Sequence, residues 1–259
     1  MEVVFYSGKF INFDNLNINN FKRALNYGDG FFESIKIINS KPVNFKYHLE
    51  RIYYSMKILK FENIFINDSL NKDISKLIKL NKITSGSMKI QIFRSGDGKY
   101  LPTLNTSEII ISTKSGFSYK KNDAISLVFY KDEYKNKGKL ATLKSSNSLI
   151  YILASIYAKN NNYNNAIIFN YDENIIEASN ANLFIVKDQE VITPPIKDGC
   201  VDGVMRRWIT NNLSVQEKSI SINQLLAADE IFISNTISGI IPVKKVNNFN
   251  YLFYYNAVS

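Results

Sequence analysis

The sequence predicts an α+β chain (mixed α/β) folded as two domains. Three observations lead there. Short strand-like runs are interleaved with a few helical ones, without the strict strand–helix–strand rhythm of a parallel sheet. A length of 259 residues accommodates one large domain or two small ones around real hydrophobic cores. A polar stretch with one glycine, Ser-Gly-Phe-Ser-Tyr-Lys-Lys-Asn at 115–122, separates the halves. The expected division is a first domain over 1–115, a linker over 116–122 and a second domain over 123–259.

The elements follow in chain order. Residues 32–38 are apolar-rich and stop at the turn signal Asn39-Ser40, which predicts a strand. Leu49, Ile52, Tyr53, Met56 and Leu59 recur at near-helical spacing. Residues 87–94 alternate, with Met88, Ile90 and Ile92 on one side and Lys89 and Gln91 on the other. Residues 108–113 and 125–130 read as further strands, and 131–139 as a charged loop. Leu149, Ile152, Leu153, Ile156 and Tyr157 mark a strongly amphipathic helix. Strands are expected at 166–171, 175–178 and 183–187, a helix at 204–213, and closing strands at 230–234 and 240–246.

Bulk properties restrict the class of protein. Hydrophobic content of 45% and aromatic content of 13% suit an ordinary soluble chain. One cysteine, Cys200, rules out an intramolecular disulfide framework and fits a reducing cytoplasm. The first residues carry no basic stretch followed by an apolar core, so no secretory signal is expected. No apolar run approaches the roughly 20 residues that span a bilayer. The net charge of +9 reads either as steering of anions or as plain composition, because Lys, Asn and Ile are abundant everywhere and the lysines are interspersed with acids. Neither a nucleic-acid nor a membrane partner is expected.

Several residues could carry chemistry. Lys144, in Leu-Lys-Ser-Ser-Asn-Ser-Leu at the mouth of a predicted helix, could form an imine with an aldehyde cofactor. Glu177, 33 residues later near a strand end, could serve as counter-charge to a pyridinium or be a surface strand glutamate. Arg51, three residues after His48 on one helix face, offers a forked donor set for phosphate, or stands as a surface arginine. Asp202-Gly203-Val204-Met205-Arg206 lies where loop becomes helix, so free backbone N–H groups could bind an anion there. Ser234-Asn235-Thr236 supplies small polar donors after a strand, Thr193-Pro194-Pro195 a rigid turn, and Gly28-Asp29-Gly30 a glycine-rich strand entry. His48 is the single histidine and reads as a packing or hydrogen-bonding residue. With no His/Cys cluster at ligand spacing, no metal site is expected.

Taken in order, these pieces resemble the fold-type IV pyridoxal phosphate (PLP) enzymes, the class IV aminotransferase family. It includes branched-chain aminotransferases, D-amino acid aminotransferases and aminodeoxychorismate lyases. The resemblance runs from about Arg23 to Val243. It rests on Arg23-Ala-Leu-Asn-Tyr-Gly-Asp-Gly30, His48-Leu-Glu-Arg51, Lys144 in Lys-x-x-Asn-x-Leu, Glu177 with Asn180-Ala-Asn-Leu-Phe184, Thr193-Pro-Pro195, Gly203-Val-Met-Arg206, and Ala228-Asp-Glu-Ile-Phe-Ile233 on to Pro242-Val243. It implies two domains with the cofactor in the cleft between them. Lys144 would hold PLP covalently and then shuttle protons, while Glu177 would keep the pyridine nitrogen protonated. Arg51 would grip the phosphate, with the Val204 and Met205 N–H groups, Asn235 and Thr236.

The choice within the family turns on four positions. Phe32 stands where D-amino acid aminotransferases are similar but carry a tyrosine. Leu149 stands where branched-chain aminotransferases usually show one. Met205, in Gly-x-Met-Arg, and Asn235 look like the lyase pattern, to which Gly98-Lys99-Tyr100 has a looser likeness. The resemblance therefore implies a 4-amino-4-deoxychorismate lyase, giving 4-aminobenzoate and pyruvate for folate synthesis. The alternative is an amino-acid aminotransferase of branched-chain or D-amino acid type using 2-oxoglutarate. Substrate contacts would fall to Phe32 and to the weaker candidates Arg94 and Lys99. By the same resemblance a homodimer is expected.

Overall fold

The computed structural model describes residues 2–62, 69–119 and 122–251. The chain divides into two units. Unit 1 holds Met1–Tyr119 and also Lys144–Asn147; unit 2 holds Lys120–Leu143 and Ser148–Ser259.

In unit 1, β1 (Val3–Tyr6), β2 (Lys9–Asn12), β3 (Gly30–Ile38), β4 (Lys41–Pro42), β5 (Gly86–Arg94) and β6 (Ser107–Ser115) form one sheet in the order β2-β1-β6-β5-β3-β4. Its pairings are antiparallel throughout. Strand alternation sends Phe31, Ile35, Ile37, Met88, Ile90, Ile92, Ile109 and Ile111 to one face. There they pack against Ile52 and Met56 of α2 (Phe45–Ile58) and Ile74 and Leu77 of α3 (Ser69–Leu80). A short α1 (Lys22–Tyr27) precedes β3 and ends at Gly28, whose φ of +60° suits glycine.

β4 covers β3 only at Ile37 and Ile38, which leaves the start of that edge open. Residues from beyond residue 120 close it. Phe32 N–H donates to the Lys144 carbonyl at 3.0 Å, Ser146 N–H donates to the Gly30 carbonyl at 2.9 Å, and Phe31 pairs with Ser145. Backbone groups at a sheet edge need partners, and this short segment supplies them. The two-part organisation expected from the sequence is thus not a single cut at 116–122. The lysine-bearing segment returns to unit 1 for four residues, and Lys120 and Lys121 of the expected linker lie outside the described residues.

Unit 2 is built on β7 (Ile125–Phe129), β8 (Asn165–Phe169), β9 (Ile175–Ala178), β10 (Ala181–Lys187), β11 (Glu190–Thr193), β12 (Val215–Glu217), β13 (Glu230–Asn235), β14 (Gly239–Val246) and β15 (Phe249–Asn250). The order β10-β13-β14-β7-β8-β9 closes on itself because β9 also pairs with β10. The result is a six-stranded barrel, and closure removes its edges. Leu127, Ile167, Ile175, Leu183, Ile185, Ile231, Ile233 and Val243 fill the interior. Outside it, α5 (Val204–Asn212) packs Met205 and Ile209 on Phe184 and Phe232, whose rings stack at 4.7 Å. The short α6 (Ile222–Leu226) is held by a capping box between Ser221 and Gln224.

α4 (Leu149–Asn160) turns its small residues inward and its bulky ones outward. Ala154 and Ala158 are the residues it buries, against Val128, Ala166 and Ile168. Small side chains let the helix lie close to β8. The bulky stripe of Leu149, Ile152, Leu153 and Ile156 faces outward, at 67%, 52%, 47% and 50% exposure.

Candidate active site

Unit 1 gathers charge under and over β3. Glu33 shares the inward face of Phe31 and Ile35, where an unpaired carboxylate would be costly. α2 answers it. Arg51 donates from Nε to Oε1 at 2.7 Å and from Nη2 to Oε2 at 2.6 Å, and His48 Nδ1 lies 2.6 Å from Oε2. Three residues apart on one helix, the two basic groups meet the same carboxylate. Burial alone would raise the Glu33 pKa, but the Arg51 charge and the bonds from His48 and Arg51 outweigh it and hold the group at about 2. His48 is pushed below its ordinary value, first by burial and then by the Arg51 and Lys144 charges, against the pull of Glu33. Its Nε2 is buried with no hydrogen-bond partner among the described residues. On the opposite face of β3 lies the Phe32 ring, with the Lys144 ammonium 4.6 Å and the Lys89 ammonium 4.9 Å from its centroid. Lys144 is half-buried there, fixed through its backbone to β3.

Unit 2 builds its part on the outer face of the barrel. Register places Ile168, Glu177, Asn182 and Ser234 in one row across β8, β9, β10 and β13. Glu177 is buried, and Oε1 accepts from Lys135 Nζ at 2.7 Å and from the Tyr151 hydroxyl at 2.8 Å. Its Oε2 accepts the Val201 N–H at 3.0 Å. Next in the row, Asn182 donates to the Val201 carbonyl and stands against the start of α5. A Cβ on Gly203 would lie 1.8 Å from Asn182 Oδ1, so any side chain at that N-cap would displace the Asn182 amide. No side chain caps the helix there, which leaves its first turn, Val204 and Met205, presenting backbone N–H groups at the positive end of the helix dipole. Beyond the row, Asn235 accepts from the Ile237 and Ser238 N–H groups and donates to the Asn180 carbonyl, ordering the turn that carries buried Thr236. Ser234 Oγ is buried with no hydrogen-bond partner among the described residues.

The predicted residues fall into two sets, one per unit. Lys144 and Phe32 lie on one face of β3 and Arg51 on the other, while Glu177, Val204, Met205, Asn235 and Thr236 belong to unit 2. Arg94 stands apart. Its Nε donates to Asp29, Nη1 to Asn105 Oδ1 at 3.0 Å and Nη2 to the Leu59 carbonyl at 2.6 Å, so its bonds hold protein rather than await a ligand. With Arg23 and Asp29 it lines a cavity of about 490 Å³ in unit 1. Lys99 is exposed on the adjoining turn, where Arg23 Nη1 binds its carbonyl at 2.9 Å. Sequence reasoning missed Glu33, Lys135 and Tyr151. Glu33 was findable, as a carboxylate on the apolar parity of a strand. Lys135 lies in a charged loop and gives no such signal.

The donor set suits pyridoxal phosphate. Unit 1 offers a lysine amine, and unit 2 by itself offers an acidic partner with an acceptor position to spare, an uncapped helix start for phosphate and, among the described residues, the orphaned Ser234 Oγ. Among the described residues there is no group of three or more metal-ligating side chains, and no helix is long and apolar enough to cross a membrane.

Comparison with known proteins agrees. The sequence model of amino-transferase class IV matches residues 30–246. D-alanine aminotransferase of Staphylococcus epidermidis is 25% identical over 257 residues, covering 96% of this chain and 91% of its own. The structure of Escherichia coli branched-chain amino acid aminotransferase superposes with a TM-score of 0.88 at 25% identity, over 96% of this chain and 88% of that one. The fold is shared with 4-amino-4-deoxychorismate lyase of Pseudomonas aeruginosa, with a TM-score of 0.79 at 22% identity, over 96% and 93% of the two chains. The chain belongs to the class IV aminotransferases, an enzyme family of the fold-type IV architecture that uses pyridoxal phosphate.

Proposed function

We propose that this enzyme is a 4-amino-4-deoxychorismate lyase, releasing 4-aminobenzoate and pyruvate. The observation that carries the reading is the phenyl ring of Phe32 beside the Lys144 ammonium, 4.6 Å from centroid to nitrogen. That ring has no hydroxyl with which to hold an amino acid carboxylate. Leu149 is two-thirds exposed and equally lacks one, and Met205 packs in the core of α5.

When bound, pyridoxal phosphate supplies an aldehyde for the substrate amine and a ring that accepts the electron pair left by a departing proton. Lys144 holds the coenzyme and then, as a free amine, takes the ring proton next to the substrate nitrogen. The carbon–oxygen bond to the enolpyruvyl group breaks as the substrate ring becomes aromatic, and enolpyruvate gains a proton at carbon to become pyruvate. Glu177 accepts the pyridine N–H. The Val204 and Met205 N–H groups, with Asn235 and Thr236, receive the phosphate, and Arg51 adds charge with its fork set by Glu33. Lys99 offers a cation for a substrate carboxylate.

An amino-acid aminotransferase is the second reading, favoured by the 25–26% identity to D-alanine and branched-chain aminotransferases over almost the whole chain. A product assay separates them. Formation of 4-aminobenzoate from aminodeoxychorismate is expected; rapid glutamate formation from an amino donor and 2-oxoglutarate, with no 4-aminobenzoate, overturns the lyase reading. The exposed stripe of α4 supports a homodimer, since single apolar side chains are common on surfaces but contiguous rows are not. Light scattering should give twice the chain mass, and Leu153→Asp should lower it. A reducing cytoplasm is the setting consistent with one buried thiol at Cys200.

A further inference from the structure

Glu177 is loaded unevenly. Oε1 takes the Lys135 ammonium and the Tyr151 hydroxyl, at 2.7 and 2.8 Å, while Oε2 takes, among the described residues, only the Val201 N–H, at 3.0 Å. A carboxylate has about four acceptor positions on its two oxygens. The unfilled one therefore lies on Oε2. Lys135 also donates to the Tyr151 oxygen and sits 5.1 Å from that ring's centroid, so the three side chains close a triangle. It is nearly sealed, with side-chain exposures of 11% for Lys135 and 3% for Glu177. Burial first, and the Glu177 charge second, push the Tyr151 phenol well above its ordinary value, so it stays a donor.

We propose that Lys135 and Tyr151 are positioning residues that keep the proton shared between Glu177 and a bound pyridine ring on the ring nitrogen. Both groups draw negative charge onto Oε1, which fixes the carboxylate plane and leaves Oε2 a weaker hydrogen-bond acceptor. A weaker acceptor pulls less on the N–H. The ring then keeps its full positive charge, which is what makes it an electron sink. This inference rests on the role for Glu177 proposed above, but on neither choice of substrate.

The test uses holoenzyme loaded with pyridoxal phosphate carrying ¹⁵N in the ring, with the ring ¹⁵N chemical shift read at neutral pH. The wild-type signal is expected in the protonated range. Lys135→Met should move it toward the unprotonated range, Tyr151→Phe should move it the same way by less, and Lys135→Arg should leave it near wild type. Unmoved signals in both Lys135→Met and Tyr151→Phe, with coenzyme still bound by absorbance, overturn the proposal; so does movement the other way. If Lys135→Met does not hold coenzyme, Tyr151→Phe, which keeps its ring, decides alone. A different failure has a different signature: an unprotonated wild-type signal, or one that Glu177→Gln leaves in place, removes the underlying role of Glu177 itself.

Discussion

Two buried carboxylates, one in each unit, meet similar partners and end up suited to different work. Glu33 is gripped across both oxygens by the planar fork of Arg51, with His48 on Oε2, between the sheet and α2. Glu177 is held from one side by a lysine and a phenol, on the outer face of the barrel. A bidentate pair is a strong, directional lock. A lysine and a tyrosine on one oxygen restrain the group and leave the other oxygen available. Saturation makes a brace; partial saturation makes a site.

That contrast can be broken in graded ways. The largest effect belongs to neither carboxylate. Lys144→Ala should lower turnover by about a thousandfold or more and remove the borohydride-fixed coenzyme adduct, seen by mass spectrometry. Its backbone bonds to β3 remain, so the circular dichroism spectrum should not change.

Next comes Glu33→Gln. It leaves the buried Arg51 charge uncompensated, for a loss of about 3–5 kcal/mol in urea unfolding. Glu177→Gln should cost less, about 1–3 kcal/mol, because Tyr151 can still donate to the amide oxygen. Equal losses would erase the distinction between brace and site.

Acid should act mainly on unit 1. His48 has a lowered folded-state pKa, so the unfolded chain binds its proton first, and stability falls as pH drops below about 6.5. Glu33, held at about 2, contributes stability that is complete above 4.5 and is lost as pH falls toward 2. The lower limb of the stability–pH profile should flatten in Glu33→Gln and persist in Glu177→Gln. At the alkaline end, burial pushes the Cys200 thiol up to about 12, so its contribution is lost only as pH rises above 9.

The smallest effect is at the helix start. Gly203→Ala would force Asn182 away from the Val201 carbonyl and so disturb the first turn of α5. Coenzyme affinity should fall roughly tenfold, about 1.4 kcal/mol, by fluorescence titration, with unfolding of unit 1 unaffected.

How much of this was legible depended on whether the signal was local. Alternation along 87–94 and the paired His48 and Arg51 were readable because each lives within one element. Lys144 and Glu177 stood out through motif order, and register later placed Glu177 beside Asn182 and Ser234. Lys135 reaches Glu177 across 42 residues of sequence, a distance that no pattern encodes. The stripe on α4 was legible as amphipathic, but which face it turns inward was not. Periodicity gives the angle between faces, not which one the protein buries, and here the alanines won the inner side.

The four residues that return to the edge of β3 bear on how this protein could be divided. A truncation after residue 119 would strip the first unit of the short segment that closes the open edge of β3, and of the reactive amine as well. The barrel, expressed alone from residue 120, would carry that amine with nothing to pin it. Exchange of halves between relatives would therefore have to move residues 144–147 with the first unit, which a single crossover cannot do.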